Sequence, residues 1–191
     1  ILVVSALAAL YGIGYFSPLP KRGNLSQYWF NFNTLVVSML VVVTARNGLL
    51  FLLAWEIMSL SSFFLVLFEK EDAMVRRAGW TYLIATHIGT AFLLVFFLLL
   101  GARSGGTLEF GAFKGSVLLP GTAGVAFLLA LVGFGTKAGF MPLHVWLPEA
   151  HPAAPSNVSA LMSGVMIKTG IYGLVRSLTF LGTPAPWWGW V

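Results

Sequence analysis

The sequence contains no cysteine. Disulfides, zinc held by thiolates and iron–sulfur clusters held by cysteine are therefore excluded from this chain. We predict that the chain holds no metal and no cofactor of its own. Any redox chemistry connected with this protein must then take place in a partner.

Charged residues are also scarce. They make up 9% of the 191 positions, whereas apolar residues make up 58% and the mean hydropathy is +0.89. The very apolar core of a soluble protein is the alternative, but such a core needs runs of only about 10 to 14 residues, and several runs here exceed the roughly 18 that cross a bilayer. The composition therefore predicts an integral membrane protein with the lipid bilayer as its solvent.

The basic residues outnumber the acidic residues by eleven to six and give a formal net charge of +5. Most of them lie in short loops beside apolar segments rather than in a cluster that would bind nucleic acid. Their distribution favours a cytoplasmic 69–78 loop by a margin of one basic residue. We therefore interpret the basic residues as determinants of membrane topology and expect no nucleic-acid partner.

Apolar runs of spanning length predict about six transmembrane helices. Their expected bounds are near 1–17, 29–45, 48–68, 79–101, 121–147 and 157–180. The first run lacks the positively charged region and the cleavage site of a signal peptide, and both ends of the chain look cut. We interpret 1–191 as one transmembrane fragment with an all-α, polytopic helix-bundle fold.

Two connecting segments stand out between these runs. The glycine-rich stretch 102–120 is predicted to be a flexible connector. The stretch 147–155 is too rich in proline for a helix, and Ser156 or Asn157 can cap the helix that follows it.

Three ionisable residues, Glu56, Lys137 and Lys168, lie near the middle of predicted membrane helices. An ionised side chain at the bilayer centre costs about 2.5 to 3.5 kcal/mol on insertion scales, and such residues face the bundle interior, pair, or line a water path. A structural ion pair is the alternative, but three charges cannot form one neutral pair, and a buried pair is poor evidence of stability. We therefore predict a proton-conducting core over about 48–180.

Lysine chemistry suits such a route. Burial favours the neutral form of a lysine, whereas a nearby carboxylate favours the charged form. If Glu56 lies close to Lys137, a movement of either group would change the proton affinity of the lysine. Lys137 is thus a candidate for electrostatic switching.

The helix around Lys137 is predicted to be broken. Pro142 removes one backbone donor and clashes with the carbonyl of residue 138, while Gly133 and Gly139 supply no side-chain packing. Freed backbone groups at membrane depth are tolerated only inside protein or against water, so the break indicates an aqueous cavity at the lysine. An ordinary proline kink used for packing is the alternative.

The three histidines have different expected roles. His144 follows Lys137 by seven residues, on the same face if the helix resumes, and it can extend a proton path because histidine titrates near neutral pH. His151, in the following loop, is either part of that path or an ordinary loop residue. His87 lacks the facing histidine that haem ligation requires, so we interpret it as a packed or hydrogen-bonded side chain beside the path.

Several segments, taken in order, resemble the antiporter-like membrane subunits of respiratory complex I and its relatives. The matching segments are Trp55-Glu56, Lys137, 142–151 (PLHVWLPEAH), Ala154-Pro155 and 168–173 (KTGIYG). The segments 31–33 (NFN) and 159–168 (SALMSGVMIK) look closest to the branch of membrane-bound hydrogenases, which includes membrane subunits of hydrogenase-4 and of formate hydrogenlyase. Multisubunit sodium/proton antiporters contain a related subunit.

The resemblance implies a fold of about fourteen helices built on two inverted repeats, of which this chain would supply roughly helices 3–8. It implies that Glu56 tunes the pump, that Lys137 on the broken helix is the central proton carrier, and that Lys168 passes the proton onward. It also implies that His144 feeds or hydrates the site.

Other branches of this family have a proline where the present chain has Gly139, so Pro142 is expected to be the main helix breaker. The resemblance further implies partners, namely other membrane subunits of the same complex and, through them, a hydrogenase or dehydrogenase arm. It favours the inner (plasma) membrane of a prokaryote as the location.

Three functions stay open at this point. The leading hypothesis is a proton-translocating, non-redox subunit of an oxidoreductase complex. The second is a subunit of a multisubunit sodium/proton antiporter, which needs no electron-transfer partner. The third is a purely structural membrane anchor whose buried charges form pairs.

Overall fold

The chain folds into a bundle of helices, and the computed structural model describes residues 1–16, 24–114 and 119–190. No strand occurs among these residues. The longer helices are α1 (Leu2–Phe16), α2 (Leu25–Thr44), α3 (Gly48–Val66), α4 (Ala73–Arg103) and α6 (Pro120–Ala138). The shorter elements are α5 (Phe110–Phe113), α7 (Leu147–Ala153), α8 (Ser156–Leu161), a π-helical segment (Met162–Met166) and α9 (Ile167–Leu178), with 3₁₀ turns at Leu67–Glu69 and Pro186–Trp190.

Four helical segments are long and apolar enough to cross a membrane. They are Gly48–Glu69, Ala73–Arg103, Pro120–Ala138 and Ser156–Leu178. Helix α1 is apolar but has only 15 described residues, and α2 falls outside the set because its first half carries polar side chains such as Asn31 and Asn33. The all-α, polytopic membrane fold is confirmed, and both of these helices lie where the apolar runs predicted them. The last residue of the predicted first helix lies outside the described residues.

Polar side chains fix where three of the helices begin. Asn24 and Asn47 each accept two backbone N–H bonds at the start of α2 and α3, and Asp72 accepts one from Met74 at the start of α4. Such caps satisfy N–H groups that have no partner within the helix. Because Asp72 caps the chain there, α4 begins six residues before the predicted start at 79.

The prediction of a flexible connector over 102–120 is wrong for its central part. Gly105 and Gly106 form a turn with positive φ, but Phe110 and Phe113 of α5 are buried against the bundle. Backbone bonds also tie this segment to the α2–α3 junction, since Gly48 N donates to Leu108 O at 2.8 Å and Phe110 N donates to Arg46 O at 2.9 Å. Residues 115–118 of the predicted connector lie outside the described residues.

The predicted helix 121–147 stops early. Helix α6 ends at Ala138, where Gly139 adopts the left-handed conformation with φ 74°, and Phe140 N donates back to Gly135 O at 2.9 Å. Only glycine adopts this conformation readily, so Gly139 ends the helix and Pro142 lies three residues beyond the break. The expectation that Pro142 is the main breaker is therefore corrected. Residues 141–146 form turns, and the Met141–Pro142 peptide bond is cis.

The proline-rich stretch 147–155 contains a helix, contrary to the prediction. Pro148 lies in the first turn of α7, where its missing N–H costs nothing, and Pro152 lies one residue before the helix ends. The next helix begins after Pro155 without a side-chain cap, so Ser156 and Asn157 do not have the predicted capping role.

Helix α6 is held between α4 and α9 at backbone contact distance. A Cβ added to Gly133 would lie 3.0 Å from Gly89 O, and a Cβ added to Gly170 would lie 2.7 Å from Ala138 N and 2.8 Å from Phe134 O. Small residues allow membrane helices to approach in this way. The crossings fix the end of α6, where every residue from 133 to 138 is buried.

Gly170→Ala is expected to lower the free energy of unfolding by about 1–3 kcal/mol, because the new methyl group would meet backbone atoms that cannot rotate away. Thermal unfolding of the full-length protein in detergent measures the effect. Gly121→Ala is the matched control, since a Cβ there meets nothing within 4 Å. Equal unfolding midpoints for the two variants would contradict the close helix crossing.

Candidate functional site

The candidate site is centred on Lys137, which occupies the last turn of α6. Its side chain is 1% exposed, so the ammonium group lies inside the bundle. The early end of α6 at Gly139 places this lysine directly beside the helix break. Burial of a charged group at such depth requires polar partners.

Two hydroxyl groups supply these partners. Lys137 Nζ donates to Ser59 Oγ of α3 and to Tyr82 OH of α4, each at 2.9 Å. The rings of Tyr82 and Trp55 also face the nitrogen, with centroids at 5.2 and 5.8 Å. Lys137 therefore joins three helices through one side chain.

The hydroxyl groups form a directed chain. Ser59 Oγ donates to Trp55 O at 3.0 Å, so it accepts from the lysine. Ser62 Oγ lies 2.5 Å from Tyr82 OH and donates to Met58 O at 2.7 Å. Tyr82 then accepts from Lys137 and donates to Ser62, and each hydroxyl uses its one proton once.

This arrangement suits two protonation states of Lys137. A neutral amine has two N–H groups and an ammonium has three. The hydrogen bonds to Ser59 and Tyr82 require two N–H groups, which both forms of the lysine possess. No described residue accepts a hydrogen bond from a third N–H group. The same frame can thus hold the lysine before and after it gives up a proton.

Glu56 of α3 pairs with His87 of α4, not with Lys137. Glu56 Oε2 lies 3.2 Å from His87 Nε2, and among the described residues Lys137 has no carboxylate within 4.0 Å. The side chain of Glu56 is 28% exposed and that of His87 is 47% exposed. The direct approach of Glu56 to Lys137 that the sequence allowed is therefore not present, and the two groups are linked through α3, because Ser59 is one turn after Glu56.

The Glu56–His87 pair needs a proton. His87 Nδ1 lies 2.9 Å from Leu83 O, which can only accept, so Nδ1 carries a hydrogen. Nε2 then has no hydrogen in the neutral ring, and its contact with Glu56 requires either an imidazolium or a protonated carboxyl group. The other carboxyl oxygen, Oε1, is buried and has no hydrogen-bond partner.

The helix does not resume directly after the break. His144 therefore lies in the turns, not on the helix face that it was predicted to share with Lys137. It is half-buried, and its Nδ1 is buried without a hydrogen-bond partner. The neighbouring Trp146 anchors this segment, since its Nε1 donates to Thr136 O at 2.8 Å and its ring lies 5.0 Å from that of Tyr82. The turn segment is therefore packed over the lysine site.

His151 and Lys168 meet at the π-helical segment. His151 Nδ1 lies 2.8 Å from Ser159 Oγ and 3.4 Å from Ser163 Oγ. Lys168 Nζ donates to Ser163 O at 2.7 Å, five residues back, which is a carbonyl in the π-helical segment. Lys168 is exposed on the surface of this chain rather than buried among its helices.

Burial holds the pKa of the His151 imidazole below its ordinary value. Burial thus favours the neutral ring. A serine hydroxyl can donate to Nδ1 or accept from it, so the contact with Ser159 is compatible with either tautomer of His151.

Sequence reasoning missed the partners of Lys137. Ser59 lies one turn after Glu56 on the same side of α3, and this spacing is the signal that could have found it. Tyr82 carried no signal, because a tyrosine in an apolar run is ordinary.

Tyr82→Phe is expected to lower the free energy of unfolding by about 1–3 kcal/mol, because Lys137 and Ser62 each lose a buried hydrogen-bond partner. The unfolding midpoint of the full-length protein in detergent measures the loss. Tyr11→Phe is the control, since Tyr11 is 56% exposed. An equal midpoint for both variants would show that the Tyr82 hydroxyl contributes nothing to holding the lysine.

No group of three or more His, Cys, Asp or Glu side chains in the described ranges is arranged to hold a metal ion. The polar groups of the site are instead one lysine, hydroxyl groups and the Glu56–His87 pair. Such groups can bind and release protons.

The NADH:quinone oxidoreductase/Mrp antiporter transmembrane family matches residues 45–190. Hydrogenase-4 component B of Escherichia coli (strain K12) is 43% identical over 196 residues, which covers 99% of this chain and 29% of that relative. Formate hydrogenlyase subunit 3 of the same strain is 34% identical over 158 residues, which covers 82% of this chain and 24% of that relative. This chain thus spans less than a third of the length of these curated relatives.

A solved structure has the same fold. A chain of the membrane-bound sulfane sulfur reductase, an archaeal respiratory membrane complex, matches 97% of this chain with a TM-score of 0.85, and 38% of that chain is covered. The sequence identity is 22%, so this likeness concerns the fold alone. From the family match and the motifs between Glu56 and Lys168, the chain belongs to the NADH:quinone oxidoreductase/Mrp antiporter transmembrane family.

Proposed function

We propose that this chain forms the first half-channel of a proton-translocating, non-redox membrane subunit in a hydrogenase or NADH:quinone oxidoreductase type of complex. The observation that carries the proposal is Lys137, a buried lysine held by two hydroxyl groups at the end of a broken helix. A buried lysine with no paired carboxylate is costly, and groups of this kind in membranes serve transport by default.

The transport step is a change in the protonation state of Lys137. A negative charge at Glu56 favours the ammonium form of the lysine, and neutralisation of that carboxyl group favours release of the proton. The proton shared by Glu56 and His87 provides such a neutralisation when it resides on the carboxyl group. Electron transfer in partner subunits would drive the cycle by shifting charge at this pair.

Lys168 is the acceptor that passes the proton onward in this proposal. Its exposure on the surface of the chain suits a group that transfers protons to protein outside these residues. His144 feeds or hydrates the lysine site from the turn segment, and its unpartnered Nδ1 can bind water. His151 and Ser163 stand beside the onward path.

The partners follow from the same proposal. We infer that the chain carries no cofactor and depends on other membrane subunits, which connect it to a hydrogenase or dehydrogenase arm. Two relatives are named as parts of hydrogenase-4 and formate hydrogenlyase, which favours a hydrogenase arm. A prokaryotic inner membrane is the corresponding location.

A sodium/proton antiporter subunit is the second candidate, because the matching family includes Mrp antiporters. An antiporter would move protons without electron transfer. The buried cation favours protons over sodium at this site, since an ammonium group has no affinity for a metal cation.

The deciding experiment uses inverted membrane vesicles that contain the complete complex, with a pH-sensitive dye inside. Under the proposal, protons enter when an electron donor is added, and electron-transfer inhibitors stop the uptake. Proton movement driven by an imposed sodium gradient without a donor would establish the antiporter instead. Electron transfer with no proton movement in either assay would identify a structural anchor.

A further inference from the structure

A cavity of about 690 Å³ lies apart from the lysine site, and its lining contains neither Lys137 nor its two hydroxyl partners. It is formed where α2 ends, α3 begins, and α9 ends, and the α5 segment closes one side. Its lining includes three basic residues, Arg46, Lys114 and Arg176, and one acidic residue, Glu109. The proposed proton route uses none of these side chains.

The three basic residues come from three separate parts of the chain. Arg46 lies in the α2–α3 junction, Lys114 follows α5, and Arg176 lies in the last turn of α9. None of them forms an ion pair with a carboxylate of the described residues. Cations without an ion-pair partner repel one another, so the cavity is suited to an anionic ligand.

Arg176 is fixed in position before any ligand arrives. Its guanidinium group lies 4.6 Å from the centre of the Phe110 ring and donates to Tyr172 OH and to Val43 O. Tyr172 is itself held, because its hydroxyl donates to Val43 O at 2.7 Å. A guanidinium group in a fixed orientation loses little entropy when it binds a phosphate with its remaining N–H groups.

The single carboxylate is already engaged. Glu109 Oε1 accepts from Asn47 Nδ2 at 2.8 Å, and the two residues are also joined by a backbone bridge. This bond holds Glu109 against the α2–α3 junction. Three cations and one anion line the cavity, so its net charge is positive.

The position and the walls indicate a lipid. The cavity lies at the ends of the candidate membrane spans Gly48–Glu69 and Ser156–Leu178, and lipid headgroups lie beside the ends of such spans. Its other walls include Val175, Phe110 and Phe180, which offer apolar surface to acyl chains. Guanidinium and ammonium groups bind phosphate oxygens through charge-assisted hydrogen bonds.

We propose that this cavity binds the phosphate group of an anionic phospholipid. Arg176 is the fixed anchor, and Lys114 and Arg46 supply further positive charge. The acyl chains lie along the apolar wall. The site is independent of the proton route.

The test is native mass spectrometry of the delipidated full-length protein with short-chain phosphatidylglycerol, and with phosphatidylcholine for comparison. Wild type should prefer phosphatidylglycerol. Arg176→Gln and Lys114→Gln should each weaken its binding about fivefold, the effect of one cation near a headgroup, and should weaken phosphatidylcholine binding less, so that the preference between the two lipids falls. Lys114 is exposed, so Lys114→Gln is expected to fold normally and keeps the test valid if Arg176→Gln misfolds.

Arg103→Gln is the matched control, since it removes an exposed cation at the same end of the bundle from outside the cavity lining. Its phosphatidylglycerol binding should equal that of wild type. An equal loss in Arg103→Gln, or no preference for phosphatidylglycerol in wild type, would overturn the proposal. Displacement of the lipid by equimolar inorganic phosphate would identify a free-phosphate site and overturn the lipid assignment.

Discussion

Lys137→Met in the full-length protein is expected to reduce donor-driven proton uptake by inverted vesicles about a hundredfold, because a positioned proton carrier contributes at least about that much to transfer rates. Methionine keeps a long apolar stem against Trp55 and Tyr82, so the packing around the site is largely preserved. The titratable nitrogen is lost. Dye-reported proton uptake and the rate of electron transfer are recorded together.

The control for this prediction is Lys70→Met, which removes an exposed lysine from the loop before α4. Its proton uptake should match wild type. Electron transfer in Lys137→Met should slow or become uncoupled from pumping. Normal proton uptake in Lys137→Met would show that this lysine is not on the proton route and would favour the hypothesis of a structural membrane anchor.

Glu56→Gln is expected to reduce proton uptake about tenfold, which corresponds to about 1.4 kcal/mol of lost electrostatic control over the lysine. Glutamine has nearly the same shape, and its amide can donate directly to neutral His87 Nε2. The contact between α3 and α4 therefore persists without the shared proton. The variant separates the charge of Glu56 from its packing.

A double variant sharpens this prediction. If Glu56 acts through Lys137, then Glu56→Gln combined with Lys137→Met should pump no worse than Lys137→Met alone, because residues that act as a unit are not additive. Glu71→Gln, in the exposed loop before α4, is the charge-matched control and should leave uptake unchanged. Coupled activity that survives in the double variant would favour a structural role for both charges.

The positions of the four membrane-spanning segments could be predicted from the sequence because each of these apolar runs is long enough to cross a bilayer. The details at the break could not. Pro142 is the stronger helix breaker by residue type, yet Gly139 ends α6, because the left-handed conformation is already available three residues earlier. Helix α7 was missed because prolines argue against a helix, yet Pro148 occupies the first turn, where a proline is tolerated, and Pro152 comes only one residue before the helix ends.

The buried lysine of the site could be found from the sequence because a charge in an apolar run is rare. Its surroundings required the structure. Tyr82 contacts Lys137 although the two residues are 55 positions apart in the sequence, and no local sequence pattern predicts that contact. The pairing of Glu56 with His87 also depends on how α3 and α4 cross, so the sequence alone could not distinguish it from a pair with Lys137.

The glycine crossings of α6 determine which parts of the site can move. Rotation or sliding of α6 would drive the backbone of Phe134 or Ala138 into Gly170, and that of Gly133 into Gly89. Many transporters alternate access by rocking one whole repeat against the other, but these crossings lie within one group of helices and hold α6 against α4 and α9. If Lys137 carries the proton as proposed, its change of protonation must therefore be accommodated by side chains, while the crossings keep α6 in register with α4 and α9.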